Sequence, residues 1–228
     1  MLVSMTPEDR QQSPRSSGDA KRPGPRRSLT LEQIALAGVE LADSEGVEAV
    51  TMRSLASRLG ITAAGLYRYV RSREALVTLM VDAASAEVEH PSAQGSWLPE
   101  LVEVAHEQRR VFAAHPWLFA ATRVQSDFGP AALDHLEKTI AILEPTDAGA
   151  TEKFETIALV TTLAATFAQG EGGARRIGPM DEARHPKLLA LTREDPSGTR
   201  EADLFSRAVA SVAVGLLGAS GSFGSSLA

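Results

Sequence analysis

The chain has no cysteine, only two tyrosines, and no apolar run long enough to cross a bilayer. Without cysteine there is no disulfide framework, no thiolate zinc site and no cysteine nucleophile. The longest apolar stretch, Val209 to Ala219, is far shorter than the roughly 20 residues a membrane helix needs. Charges and prolines occupy the first residues, where a secretory leader would carry an apolar core. These features lead us to expect a soluble, cytoplasmic protein with no membrane partner. Catalytic motifs are missing as well. No GxxxxGK[ST] occurs, "GEGGAR" fails the dinucleotide fingerprint, and the tail "GASGSFGSS" lacks the order G-x-S-x-G. The histidines are scattered. Glu103 and His106, three apart, share a helix face, but a lone pair at that spacing is a weak metal signal. No enzyme activity, metal or cofactor is expected.

What is present is an uneven distribution of charge. The net charge is −6, yet residues 51–73 hold five arginines and no acid. The preceding segment, 30–50, holds five acids and no base. Both tyrosines, Tyr67 and Tyr69, lie inside the arginine-rich island. A short basic island in an acidic chain concentrates positive field at one surface, the footprint of a polyanion contact.

Residues 1–28, rich in Pro, Ser, Arg and Gln, have no apolar periodicity and are expected to form a disordered basic arm ending in "KRPGPRR". From there the pattern is helical throughout. Thr30 can cap a helix with Leu31, Ile34, Gly38, Leu41 and Ala42 at helical spacing, closed by Gly46. Thr51 and Thr62 can cap two short helices separated by Gly60, the second running to about Val70. Ser72 caps a longer helix stopped by Pro91. Further helices are expected at about 98–114, 116–124, 130–143, 151–170 and 203–218, their starts marked by proline. The Gly/Pro-rich stretch 171–200 is expected to be a partly mobile loop, with one helical turn near Lys187 to Leu191. Nothing alternates at period two, so the fold class is all-α.

Two short helices joined through a glycine, with one helix before and one after, match helix-turn-helix geometry. Ala56 is small where the helices would cross, and Ile61 and Leu66 would plug the second onto the first. Small residues at the head of the second helix allow close entry into a major groove, and its amides favour phosphate. Tyrosine hydroxyls suit phosphate oxygens, and arginines add charge and base-edge reach.

From "LTLEQIALAGVELADSEGVEAVTMRSLASRLGITAAGLYRYV" into "RSREALV", the chain resembles the TetR family of transcriptional repressors. The match runs through about 45 residues. It departs from the family pattern in having Arg68 where an aromatic is common and "TAAG" in place of longer side chains. The resemblance implies that Thr51, Tyr67, Tyr69 and Arg73 hold phosphate. It implies that Arg53, Thr62, Ala63, Ala64, Gly65 and Arg68 approach bases of double-stranded DNA at a palindromic operator. The division we expect is an arm at 1–28, a DNA-binding domain at 29–75, and a helical ligand-binding and dimerisation domain at 76–228.

In the second part, small-residue stripes lie on the helices 151–170 (Phe154, Ile157, Ala158, Thr161, Ala165, Ala168) and 203–218 (Leu204, Phe205, Ala208, Val209, Val212, Ala213). These are expected to pair two copies of the chain as a homodimer through a four-helix bundle. Aromatics with interspersed polar residues suggest an apolar effector pocket, with His106, Phe112, Trp117, Phe128, Phe154, Phe167 and Gln169 as candidate lining. The whole then reads as a ligand-responsive DNA-binding regulator. The alternative is a small-molecule-binding or protein-interaction module whose DNA-binding head is degenerate.

Overall fold

The computed structural model describes residues 29–92, 96–123, 127–170, 181–193 and 201–218. The arm expected at 1–28 and most of the loop expected at 171–200 lie outside them. Among the described residues there are helices and no strand, as the pattern implied.

α1 (Leu31–Glu45) opens on a capping box. Thr30 Oγ1 accepts the Gln33 amide at 3.1 Å while the Gln33 side chain accepts the Thr30 amide. Ile34, Val39 and Leu41 bury one face of it. Gly46, at φ 86°, turns the chain into a 3₁₀ turn at Val47–Ala49. A second capping box, Thr51 with Ser54, starts α2 (Met52–Arg58). Gly60 makes the reversal at φ 68°, a left-handed value that a side chain resists. α3 (Ala63–Tyr67) follows, its Gly65 amide capped by Thr62 Oγ1 at 3.0 Å. Leu66 and Ala56 are sealed between the two helices. The expected extension of α3 to Val70 is a tighter turn, in which Tyr69 N–H bonds Leu66 O at 2.9 Å.

α4 (Arg73–Ser85) is capped by Ser72 and packs along α1 through Leu76 and Met80. The expected boundary at residue 75 falls inside this unbroken helix. α4 stops five residues short of His90, the end its pattern suggested. Glu87 and Val88 there bond three residues back rather than four, and Glu87 is drawn towards α5 (Trp97–Ala114). α5 is the axis of the second part, packing on α7 (Pro130–Leu143), α8 (Ala150–Gly170) and α10 (Glu201–Leu217). α6 (Leu118–Thr122) is shorter than expected, because Pro116 sits in the turn that closes on His115. The turn expected near Lys187 is a full short helix, α9 (Pro186–Arg193).

Candidate functional site

The basic island lies on the surface of the two-helix motif. Tyr67 is 51% exposed and Tyr69 42%, far too open for core aromatics. Thr51, Arg53, Thr62, Ala64 and Arg68 are exposed, and Ala63 and Gly65 partly so. Arg53, Arg68 and Arg71 make no ion pair among the described residues, whereas Arg58 bonds Glu40 at 3.1 Å. Arg71 belongs to this surface and was missing from the sequence-derived set, although it lies in the same arginine run. The hydroxyls of Thr51 and Thr62 already cap α2 and α3, so each also fixes the helix it would present.

Arg73 is engaged within the fold. Its Nε donates to Val50 O at 2.8 Å and a terminal nitrogen donates to Val47 O at 2.9 Å, with Glu48 3.8 Å away. The guanidinium therefore ties the start of α4 to the 3₁₀ turn. It is a strut of the fold whose side chain is still 38% exposed.

Behind the head, a cluster around the buried His115 and Trp117 joins it to the second part. His115 Nδ1 meets the Asp43 carboxylate of α1 at 2.9 Å, and its Nε2 meets Glu87 at 3.3 Å. Trp117 Nε1 donates to the same Asp43 oxygen at 2.7 Å, and Arg110 donates to Glu87 O at 2.7 Å. Burial alone would lower the His115 pKa, but the hydrogen bonds and charges of Asp43 and Glu87 outweigh it and hold the pKa above its usual value.

A cavity of about 390 Å³ lies between α4, α5, α7 and α8. Val81, Ser85 and Val88 line it from the side of α4, Gln108 and Phe112 from α5, His135 and Leu136 from α7, and Phe154, Ile157 and Thr161 from α8. Phe112 packs edge-on against Phe119 at 5.7 Å, and Phe128 stands at the rim, 70% exposed. A polar line crosses this apolar chamber. Gln108 Nε2 lies 2.9 Å from His135 Nε2 and 3.1 Å from Thr161 Oγ1, and His135 Nδ1 lies 3.0 Å from His90 Nε2. Burial, then the neighbouring His90 and Lys138, lowers the pKa of His135 to about 4, so the ring is neutral.

Of the expected lining, Phe112, Phe128 and Phe154 are brought together here. The other four are not. His106 bonds Ser206 at 2.9 Å and meets Phe205 edge-on, pinning α5 to α10. Phe167 packs on Phe205 at 5.1 Å in the same layer. Trp117 is directed to Asp43, and Gln169 is exposed near the end of α8. Gln108, His135 and Thr161 went unnoticed because they lie on three different helices, and only tertiary packing gathers them.

α8 and α10 pack against each other. The stripe expected to pair two copies is turned inward in part: Ile157 and Ala165 of α8 and Phe205, Val209 and Ala213 of α10 are buried, and Ala158 and Thr161 face the cavity. The outward faces carry Leu159 and Thr166 on α8 and Leu204, Ser211, Val214 and Gly215 on α10. Leu159, Leu204 and Val214 are each nearly half exposed. Among the described residues no helix is long and apolar enough to cross a membrane, and no group of three metal-ligating side chains occurs.

Residues 30–80 match the model for bacterial regulatory proteins of the tetR family, and residues 91–228 match the tetracyclin repressor-like C-terminal domain. The chain is 36% identical over 124 residues to the HTH-type transcriptional repressor DrrR1 of Streptomyces coeruleorubidus, covering 54% of this chain and 46% of that protein. It is 38% identical over 116 residues to an HTH-type transcriptional regulator of Saccharopolyspora erythraea, 50% of this chain and 49% of that one. Each match thus spans about half the relative's length. Among solved structures, ActR of Streptomyces coelicolor in complex with actinorhodin superimposes with a TM-score of 0.72 at 25% identity, over 86% of this chain and 99% of that one. With the reading head and the C-terminal model matched together, the chain belongs to the TetR family of bacterial regulatory proteins.

Proposed function

We propose that the chain is a homodimeric, sequence-specific DNA-binding repressor that a mostly apolar small molecule releases from a palindromic operator. One observation carries this reading: the two tyrosines, and three arginines with no ion pair among the described residues, stand exposed around the head of a recognition helix with small side chains. A face of that composition suits phosphate contact at its flanks and close approach of Thr62, Ala63, Ala64 and Gly65 to base edges. The partly apolar outward faces of α8 and α10 support pairing of two copies, which sets two heads against successive major grooves. The aromatic-walled cavity beside α4 supports an effector that binds one head spacing better than the other. In a similar sense, ActR is a structural relative solved with actinorhodin and with (S)-DNPA.

The test is fluorescence anisotropy of a labelled palindrome, selected from a random duplex pool by the purified protein. Tyr67→Ala combined with Arg68→Ala should remove binding while sedimentation still shows a dimer. Retained binding would place the DNA surface elsewhere.

A further inference from the structure

α4 carries the head into the second part, and a second tie runs beside it. Asp43 stands in the last turn of α1, where Glu45 adds another acid and no basic residue occurs. Carboxylates there face the negative end of the helix dipole and call for a cation. It comes from outside the head, from His115 at the close of α5. The His115 amide donates to Val111 O at 2.9 Å and its carbonyl accepts from the Leu118 amide at 3.0 Å, so the residue is fixed on both sides.

Both ring nitrogens face carboxylates, and the carboxylates belong to different segments. Nδ1 lies 2.9 and 3.0 Å from the two Asp43 oxygens, and Nε2 lies 3.3 Å from each oxygen of Glu87, just past the end of α4. A neutral imidazole has one N–H and one lone pair, so it donates to one acid and turns its lone pair on the other. The imidazolium satisfies both. Beyond these two acids, the charged groups about the ring are Arg110 and Glu107 on α5, with Glu89 near Arg110. When the proton leaves, Nδ1 keeps its hydrogen, because Asp43 is the nearer acceptor and is held by Trp117 Nε1 at 2.7 Å. Glu87, the more exposed of the two, then turns to water, while Arg110 still holds its carbonyl at 2.7 Å. The clasp opens and the fold stays.

We propose that His115 is a positioning residue for DNA binding: doubly protonated, it clasps α1 of the head to the tail of α4 and the α5–α6 turn, and operator affinity falls when it loses its second proton. This rests on α2 and α3 being the DNA-reading head. Two ties fix the angle of the head, and a head fixed beforehand loses less freedom on binding than one that rocks. Burial pulls the pKa of the ring down and the two carboxylates outweigh it, so the clasp opens above the usual histidine value. Burial lowers His90, His106 and His135, whose titrations fall on the other side.

The experiment follows anisotropy of the selected palindrome from about pH 6 to 9, either side of the usual histidine value. It compares the full chain with His115→Gln and Glu87→Gln, alongside carbon-13 spectra of labelled histidines, in which His115 is the signal missing from His115→Gln. The wild type should lose at least about fivefold in affinity, the low end of couplings between sites, with a midpoint where the His115 ring titrates. His115→Gln should show no such step. Glu87→Gln, changed at a side chain 41% exposed, should move the affinity and ring midpoints down together. A flat wild-type profile, a step that survives in His115→Gln, or midpoints indifferent to Glu87→Gln overturns the clasp and leaves the reading head standing. Affinity that rises with pH overturns it too, and would mean that the clasp holds the heads out of register. If no palindrome is retained by any of the three proteins at any pH, the reading head falls and this inference with it.

Discussion

Asp82, on α4, accepts the backbone amide of Ala132, in the first turn of α7, at 3.0 Å. A Cβ built on Gly129, the residue before that helix, would lie 2.3 Å from the same carboxylate. α7 therefore begins on a cap supplied by the helix that also carries the reading head. Gly129 is glycine because the carboxylate fills the place of a side chain. The N-terminus of α7 and its approach, including Phe128 and Ala132, line the cavity. A ligand that moves this corner acts directly on α4.

The pair should behave as one unit. Asp82→Ala should lower stability by about 1 kcal/mol, the usual worth of an N-terminal cap. Gly129→Ala should cost more than that in the wild type, because it drives the carboxylate off Ala132. In an Asp82→Ala background Gly129→Ala should cost little. Urea unfolding of the four proteins measures the coupling, and additive losses would show that the two residues act independently.

Coupling through Asp82 also has a regulatory consequence. Asp82→Ala should keep operator affinity, and affinity for an apolar pyrene probe titrated into the cavity, within a few-fold of wild type, while the probe's effect on operator binding shrinks. Anisotropy with and without a saturating probe gives the comparison. An undiminished response would mean that the signal passes by another route.

Stability should respond to pH through two histidines with opposite signs. His115 has a raised folded pKa, so its contribution is full below about 6.5, the unfolded value, and is lost as pH rises through the folded value. His135 has a folded pKa near 4, so the unfolded state takes up a proton first, and stability falls between about pH 6.5 and 4 by about 3 kcal/mol. His115→Gln should flatten the alkaline limb and His135→Gln the acid limb of a stability–pH curve. Exchange of the two effects would contradict the clusters described around these rings.

Much of the head was legible in the sequence because its determinants are local. Thr30, Thr51, Thr62 and Ser72 each cap a helix within three residues of themselves, and Gly60 alone permits the turn. The cavity was only half legible. α8 is apolar or small on most of its circumference, so its periodicity does not say which side faces inward. Phe154 and Phe167 look alike in the sequence, yet one borders the cavity and the other packs on Phe205. The Gln108–His135–Thr161 line spans 53 residues of chain, and the His106–Ser206 bond spans 100. Contacts of that separation leave no mark on local pattern. The tie made by Arg73 was not legible for a related reason: its acceptors, Val47 and Val50, belong to a turn more than twenty residues earlier.

The outward face of α8 and α10 gives a separable test of assembly. Val214→Arg places a charge in the middle of that face, at a side chain 49% exposed in the single chain and therefore tolerant of change. The variant should melt within a few degrees of the wild type at low concentration, sediment as a monomer, and lose most operator affinity. A dimer that persists would mean that two copies meet through another surface.

The most direct measurement selects bound fragments from a random duplex DNA pool and sequences them across a salt series, for the wild type and for Tyr67→Ala with Arg68→Ala. An enriched palindrome whose half-sites lie about one helical turn apart should be retained by the wild type at moderate salt and be missing for the variant. Weak binding with no motif and a steep loss in salt, the same for both proteins, would contradict a sequence-reading head at α2 and α3.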